Sequence, residues 1–299
     1  MTEEKASKGL LPLFTRDSMK VLAIVHVYYH SMWEELEHCL LNIAAEDDLT
    51  LFLTFAQKNP ELAKRIAELF PNCRIEVVAN RGYDIWPFLY MLQQADLDDF
   101  DLLVKLHTKR DMYNGHGMKG VWTPGPVWRE NLLAFCRTRE NWKTAKRQFS
   151  RPRVGMISHE LNCYSRKHDS CEFHYPEIEK ILARMGFDMP PKGRFVAGAM
   201  FAARPKLLKS FCGLYGEEDF PVPDENHTEG LPHQLERAFG FAAYAQGYRV
   251  ASYNGKILWL QEFFRKNKKF FFYRQRTSTH IRLRILGIPV MQRRHKDKS

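Results

Sequence analysis

Residues 99–111, DFDLLVKLHTKRD, pass from an apolar run into Lys105, His107, Thr108, Lys109 and Arg110. Nitrogen and hydroxyl donors crowded where an interior strand ends suit one chemistry above others, the neutralising and hydrogen bonding of an anion such as a phosphate. Two further stretches carry matching groups. Residues 80–84, NRGYD, set Asn80, Arg81 and Asp84 around Gly82 directly before a helical pattern, and backbone amides gather at a helix N-terminus. Residues 25–29, VHVYY, supply His26, Tyr28 and Tyr29 as polar and stacking surfaces, although the two tyrosines could equally close the core. In a helix starting at Pro232, His233, Glu236 and Arg237 share one face at i, i+3 and i+4. A carboxylate in that setting suits two roles, a general base for a hydroxyl or a structural ion pair.

These groups need a frame that brings them together, and the first half of the chain predicts one. KVLAIVHVYY (20–29) is a near-continuous apolar run, the pattern of a strand buried on both faces. SMWEELEHCLLNIA follows with apolar residues at helical spacing and Ser31 as its expected cap. LTLFLTF (49–55), CRIEVVAN (73–80) and FDLLVKLH (100–107) read as further strands, with helices expected over 59–70 and 84–95 between them. This β-α-β-α-β-α-β order with short links predicts an α/β fold, a mostly parallel sheet with helices on both faces. Ligands of such sheets bind beyond the carboxyl ends of the strands, where all three motifs fall. Together the strand ends describe a site for a phosphate-bearing ligand, a nucleotide above all. No GxxxxGK[ST] occurs, and the one GxGxxG, residues 115–120, does not join a predicted strand to a helix, so a dinucleotide enzyme and a P-loop NTPase are not supported.

A chain of 299 residues with 44% hydrophobic content can bury a full core. We expect a polar, flexible lead over 1–18, one domain over 19–255 and a basic aromatic extension over 256–299. No stretch reaches the roughly 18 apolar residues of a membrane span, and the start lacks the order of a secretion signal, so an intracellular protein is expected. The six cysteines show neither CxxC nor zinc spacing and read as reduced thiols, and no metal site is expected from them.

The net charge of +10 suits nucleic acid, anionic lipid or phosphorylated substrates. Much of the surplus lies in the last segment, where Lys and Arg alternate with Phe270, Phe271, Phe272, Tyr273, Ile281, Leu283, Ile285 and Leu286. Apolar groups that enter a headgroup boundary beside cations make a membrane-surface segment the preferred reading, ahead of a solvated or packed tail. No zinc-finger, helix-turn-helix or RNP pattern supports nucleic acid as a partner.

In the second half, RVGMISHELNCY (153–164) reads as a strand leaving His159, Glu160 and Asn162 at its end. RFVAGAMFAARPKLLKSF (194–211) reads as a strand with small residues at its centre, where Gly198 permits close approach, followed by a helix. The insert 111–133 contains Trp122 and Trp128, and reads either as a lid or acceptor platform or as a packed loop.

With these residues in view, the chain resembles the rhamnan synthesis protein F family over roughly residues 20–250. The resemblance rests on VHVYY with Trp33 after it, NRGYDIWPFL, LLVKLHTKR, VAGAMFAARP and the HQLERAFG helix, in that order. It implies a GT-A-like fold and a glycosyltransferase, in particular a hexosyltransferase moving rhamnose from deoxythymidine-diphosphate rhamnose, or a sugar from a UDP-sugar, to a lipid-linked glycan of a cell-surface polysaccharide or lipopolysaccharide. The implied location is the cytoplasmic face of the inner membrane. The resemblance carries Asn80, Arg81 and Asp84 to the nucleotide or diphosphate and Gly198 to the loop beneath donor and acceptor; with the strand ends, His26, Tyr28, Gly82, Lys105, His107, Thr108 and Lys109 are also expected at the donor, and Trp122, Trp128 and His233 at the acceptor. Glu236 is the expected base, with Glu229 in reserve and Asp224 as a further candidate. GT-A enzymes commonly end the fourth strand in Asp-x-Asp, which holds a divalent metal. Here that end reads Lys105 to Lys109, so cationic and hydroxyl donors are expected to neutralise the diphosphate without a metal or other cofactor. Tyr83 and Trp86 depart from the family pattern, which leaves donor identity open. A non-catalytic accessory protein of a polysaccharide assembly complex is the alternative.

Overall fold

The apolar run at Lys20 becomes β1 (Lys20–Val27), in which every residue after the first is buried. The computed structural model describes residues 18–110, 116–118, 121–123, 125–169, 171–222, 230–258, 260, 263, 272–276, 280–285 and 288–294. After β1 come α1 (Trp33–Ala44), β2 (Asp48–Phe55), α2 (Pro60–Leu69), β3 (Cys73–Val77), α3 (Ile85–Leu92) and β4 (Leu102–His107). β1 pairs in parallel with β2 on one side and β4 on the other, and β2 pairs in parallel with β3. Two-sided cover explains the unbroken apolar run: Leu22 and Ile24 enter one core, and Val21, Ala23 and Val25 enter the other.

The insert forms a hairpin of β5 (His116–Met118) and β6 (Val121–Thr123), then α4 (Gly125–Leu133). The chain continues through α5 (Arg139–Gln148), β7 (Val154–Ser158), β8 (Cys163–Ser165), α6 (Tyr175–Arg184), β9 (Arg194–Val196), β10 (Phe201–Ala203), α7 (Leu231–Ala245) and β11 (Arg249–Ser252). The seven-stranded sheet has the order β11-β7-β10-β4-β1-β2-β3. Within it β10 runs antiparallel to both its neighbours, so the sheet is mostly parallel, as expected. One core packs α3, α6 and α7 against the sheet, and the other packs α1, α4 and α5 against the opposite face.

Local chemistry explains several boundaries. The Asn59 side chain caps α2 by accepting from the Leu62 amide at 3.0 Å with Pro60 in the first turn, and Thr138 caps α5 through the Asn141 amide at 3.1 Å. Ser31 does not cap α1. A 3-10 turn over His30–Met32 precedes the helix, and the Tyr28 and Tyr29 amides just before it are taken by the Thr108 hydroxyl. The single strand expected from residue 194 is also corrected. It divides into β9 and β10 because Gly198 (φ +85°) and Ala199 (φ +48°) are left-handed, which no strand tolerates. The helix expected after Pro205 is a 3-10 helix over Pro205–Phe211.

In the extension, β12 (Phe272–Arg276), β13 (His280–Ile285) and β14 (Ile288–Arg294) form an antiparallel three-stranded sheet. No helix among the described residues is long and apolar enough to cross a membrane. No disulfide joins any of the six cysteines, all of which lie among the described residues. Of the expected lead, residues 1–17 lie outside the description.

Candidate active site

The carboxyl ends of β1 and β4 and the loop after β3 converge on a cavity of about 440 Å³, closed on its far side by the 197–200 turn and the start of α7. His26, Tyr28, Asn80, Asp84, His107, Thr108, Lys109, Gly198, His233 and Glu236 all line it. Residues spread over more than 200 positions therefore meet at one sheet edge. Tyr29, Tyr83, Arg110, Ala199 and Pro232 line it as well.

Thr108 locks the two central strand ends together. Its hydroxyl oxygen accepts from the Tyr28 and Tyr29 amides, both at 2.9 Å, while its own amide donates to the His26 carbonyl at 3.0 Å. With both acceptor positions taken, the hydroxyl proton is left for another acceptor. His26 is held through Nδ1 against the Thr54 hydroxyl at 2.9 Å.

Beneath the cavity, Lys105 is 1% exposed and off the wall. Its ammonium donates to Asp84 Oδ2 at 2.5 Å and to the Ala199 carbonyl at 3.0 Å. His107 Nδ1 lies 3.4 Å from the same Asp84 oxygen. Burial by itself would raise the Asp84 carboxyl, but His107, Lys105 and Lys109 outweigh it and hold it well below the usual carboxylate range. Burial pushes His26 down to about 4, with Asp84 opposing and Lys105 assisting. Burial also depresses His107 well below the ordinary histidine value, against Asp84 and with Lys105. Burial thus favours the neutral form of both imidazoles.

This corrects the expected division of labour. Lys105 and His107 do not present positive charge to the cavity, and the cations on its wall are Lys109 and Arg110. Lys109 lies over the Trp128 ring at 4.8 Å and Arg110 over the Tyr29 ring at 4.2 Å. Trp128, expected as an acceptor platform, is 2% exposed and packs in the core beneath Gly198. The side chain of Trp122 and the candidates Asp224 and Glu229 lie outside the described residues.

Arg81 and Gly82 also stand apart from the wall. Arg81 donates to the Phe220 carbonyl at 2.9 Å and lies 3.7 Å from Glu217, and the Gly82 amide meets the Pro221 carbonyl at 3.3 Å. They dock the 80–84 loop on the 217–221 segment, which sets Tyr83 and Asp84 in place. Gly82 has φ +60°, and a Cβ there would lie 2.5 Å from the Phe220 ring. Tyr83 follows with φ +55° and meets the His233 ring edge-on at 5.8 Å between centroids.

On the far wall, Glu236 Oε1 accepts from the Gly198 amide at 2.5 Å, and its Oε2 lies 3.4 Å from Arg237. The structural ion pair open to this helix face does form, between Arg237 and Glu236 Oε2 at 3.4 Å, and Arg237 pairs more closely with Asp169 as well. Arg237 grips Asp169 with two bonds, at 2.7 and 3.0 Å, and donates to the His233 carbonyl at 2.9 Å. That arrangement leaves Glu236 on the cavity wall. Asp169 was not legible beforehand, because it lies in an irregular polar stretch with no periodic pattern around it.

Gly198 is required by both its conformation and its neighbours. An added Cβ would lie 2.5 Å from Leu132 and 3.0 Å from Trp128, on a residue with φ +85°. Gly198→Ala is expected to destabilise by about 2–4 kcal/mol, combining the left-handed cost with overpacking. An unchanged urea midpoint would contradict this.

Fold and site together define an α/β protein with a polar cleft at the carboxyl edge of a mostly parallel sheet, the edge at which such folds bind their ligands. The chain belongs to the rhamnan synthesis protein F family, whose model matches residues 5–248. It is 24% identical over 247 residues to the uncharacterized protein WxcX of Xanthomonas campestris pv. campestris strain B100, covering 79% of this chain and 33% of WxcX. The chain thus spans about one third of the length of that relative. Among solved structures it is similar to the mannosyltransferase PcManGT of Pyrobaculum calidifontis in complex with GDP-Man and Mn2+, with a TM-score of 0.39 and 19% identity over 81% of this chain and 55% of that one. It is also similar to S. aureus TarS 1–349, with a TM-score of 0.40 and 11% identity over 80% of this chain and 59% of that one.

Proposed function

We propose that the protein is a glycosyltransferase, moving a hexosyl group, rhamnose in first place, from a nucleoside-diphosphate donor to a lipid-linked glycan of a cell-surface polysaccharide. The observation that carries this reading is the opposition of two walls in one cavity. Lys109 and Arg110 face it from the end of β4, and the Glu236 carboxylate faces it from α7, anchored on the Gly198 amide. The cationic wall suits the diphosphate and stabilises the charge it gains on leaving. The acceptor hydroxyl gives its proton to Glu236 as its oxygen bonds to the anomeric carbon, and the bond from that carbon to the diphosphate oxygen breaks with its electron pair. Tyr28, Tyr29 and Tyr83 supply aromatic surface for base and sugar. The family description, rhamnan synthesis, supports rhamnose.

The carboxylates described on this wall are already committed to partners, which supports a transfer that needs no divalent cation. Asp84 is paired with Lys105, Glu236 is bound to an amide, and the described residues contain no group of three or more His, Cys, Asp and Glu arranged to hold a metal. The proposed transfer is metal-independent. Residues 256–299 are assigned to the anionic surface of the inner membrane on its cytoplasmic side, where a lipid-linked acceptor is reached. The domain boundaries at 18 and 255 belong to the same proposal.

Calorimetric titration with deoxythymidine-diphosphate rhamnose and UDP-sugars, with and without EDTA, tests this. Binding is expected to persist in EDTA and to weaken by about tenfold or more in Lys109→Ala, the loss of a charged contact. Loss of binding in EDTA would overturn metal independence, and no binding to any sugar nucleotide would overturn the transferase reading.

A further inference from the structure

Lys105 stands where an anion-binding cation was expected, yet its ammonium is closed off from the cavity. It is bonded instead to two parts of the wall that are far apart in sequence, the Asp84 carboxylate before α3 and the Ala199 carbonyl in the 197–200 turn. That turn needs a tie. Gly198 and Ala199 are consecutive left-handed residues, and alanine in that region is strained unless its surroundings hold it. The same turn carries the Gly198 amide that grips Glu236 at 2.5 Å. One continuous chain of contacts therefore runs from Asp84 through Lys105 and the turn to Glu236.

The charge distribution says which part of a donor this chain serves. A diphosphate is drawn to Lys109 and Arg110 and repelled by the carboxylate of Glu236, so the uncharged sugar falls on the side of the turn. Resting on the glycosyltransferase reading above, we infer that Lys105 is a positioning residue: it holds Asp84 and the 197–200 turn, and through the turn Glu236, around the sugar end of the donor, without touching the diphosphate. A buried lysine used in this way differs from a direct phosphate ligand in what its removal does. A direct ligand is needed by the bare nucleotide and the sugar nucleotide alike, whereas a residue that shapes the sugar side is needed only by the second.

The test is calorimetric. Deoxythymidine diphosphate and uridine diphosphate are titrated beside deoxythymidine-diphosphate rhamnose and UDP-glucose into the parent protein, Lys105→Met, Glu236→Ala and the double variant. In Lys105→Met the nucleoside diphosphates are expected to bind within about threefold of the parent, while the sugar nucleotide loses about tenfold relative to its bare nucleotide. The loss is expected to be no larger in the double variant than in Glu236→Ala, which removes the bond from the Gly198 amide, because residues that act through one contact are not additive. Should Lys105→Met not fold, Lys105→Gln/Asp84→Asn removes both charges and keeps hydrogen-bonding groups in place. Equal loss for bare and sugar nucleotides would overturn the inference in favour of direct phosphate contact, and no loss for either would overturn it outright. A parent protein that binds none of the four ligands would overturn the glycosyltransferase reading itself.

Discussion

We expect Glu236→Gln to lower sugar transfer by about 10²–10⁴-fold while leaving nucleoside-diphosphate affinity within about threefold, the range set by losing a positioned base without losing the donor site. Glutamine preserves length and shape, and its carbonyl still accepts from the Gly198 amide that Glu236 meets at 2.5 Å. What it cannot do is take the acceptor's proton. Glu236 is suited to that step because it stands on the cavity wall, while Arg237, its neighbour on the helix, binds Asp169 more closely than it binds Glu236. Transfer measured against a lipid-linked glycan with the identified donor decides the matter. Activity close to the parent's would move the base to the reserve carboxylates Glu229 or Asp224.

The second large effect is on stability. Arg237→Leu is expected to cost about 3–5 kcal/mol, because it leaves a buried carboxylate without its partner. The guanidinium and carboxylate side chains are 8% and 3% exposed and joined by two bonds, so solvent replaces little of what is lost. Removing both charges in Arg237→Leu/Asp169→Leu is expected to recover part of the deficit. Urea unfolding of the single and double variants checks the difference, and equal midpoints for parent and Arg237→Leu would contradict it. Acid acts on the same region. Burial opposes ionisation of Asp169, but hydrogen bonds and charge from Arg237 win and depress its carboxyl below the ordinary 3.8. Its contribution is thus present above that value and is lost as pH falls through the folded-state value. His26 and His174, both lowered by burial to about 4 from 6.5, add a loss that begins earlier, since the unfolded chain takes up protons between those values and the folded chain does not. Stability is therefore expected to decline as pH falls from about 6.5 to 4, and further below.

The sites that sequence and structure describe agree in membership more than in role. His26, Asn80, Asp84, Thr108, Lys109 and Glu236 are on the cavity wall, because each follows a strand end or a helix start whose direction the apolar pattern reveals. Lys105, Arg81 and Trp128 carry the right chemistry at the right positions, yet their side chains point into contacts with Asp84, Phe220 and the α4 core. Along a strand successive residues alternate sides, but which side faces a ligand and which a partner loop depends on what packs there.

Apolar runs and their helical or alternating periods by themselves determined that this chain makes parallel strands with helices on both faces, and that Lys109 and Asp84 belong to one sheet edge. Those are properties of segments, carried by residues close together in the chain. The tertiary structure alone decided that β10 inserts antiparallel between β4 and β7, and that Lys105 binds Asp84 and Ala199 rather than solvent. It alone placed Asp169 against Arg237, 68 residues apart. Charge and hydrogen-bonding capacity are written in a residue's type, but the partner that satisfies them is a matter of distance in space, and a buried ion settles on whichever opposite charge the packing brings within reach.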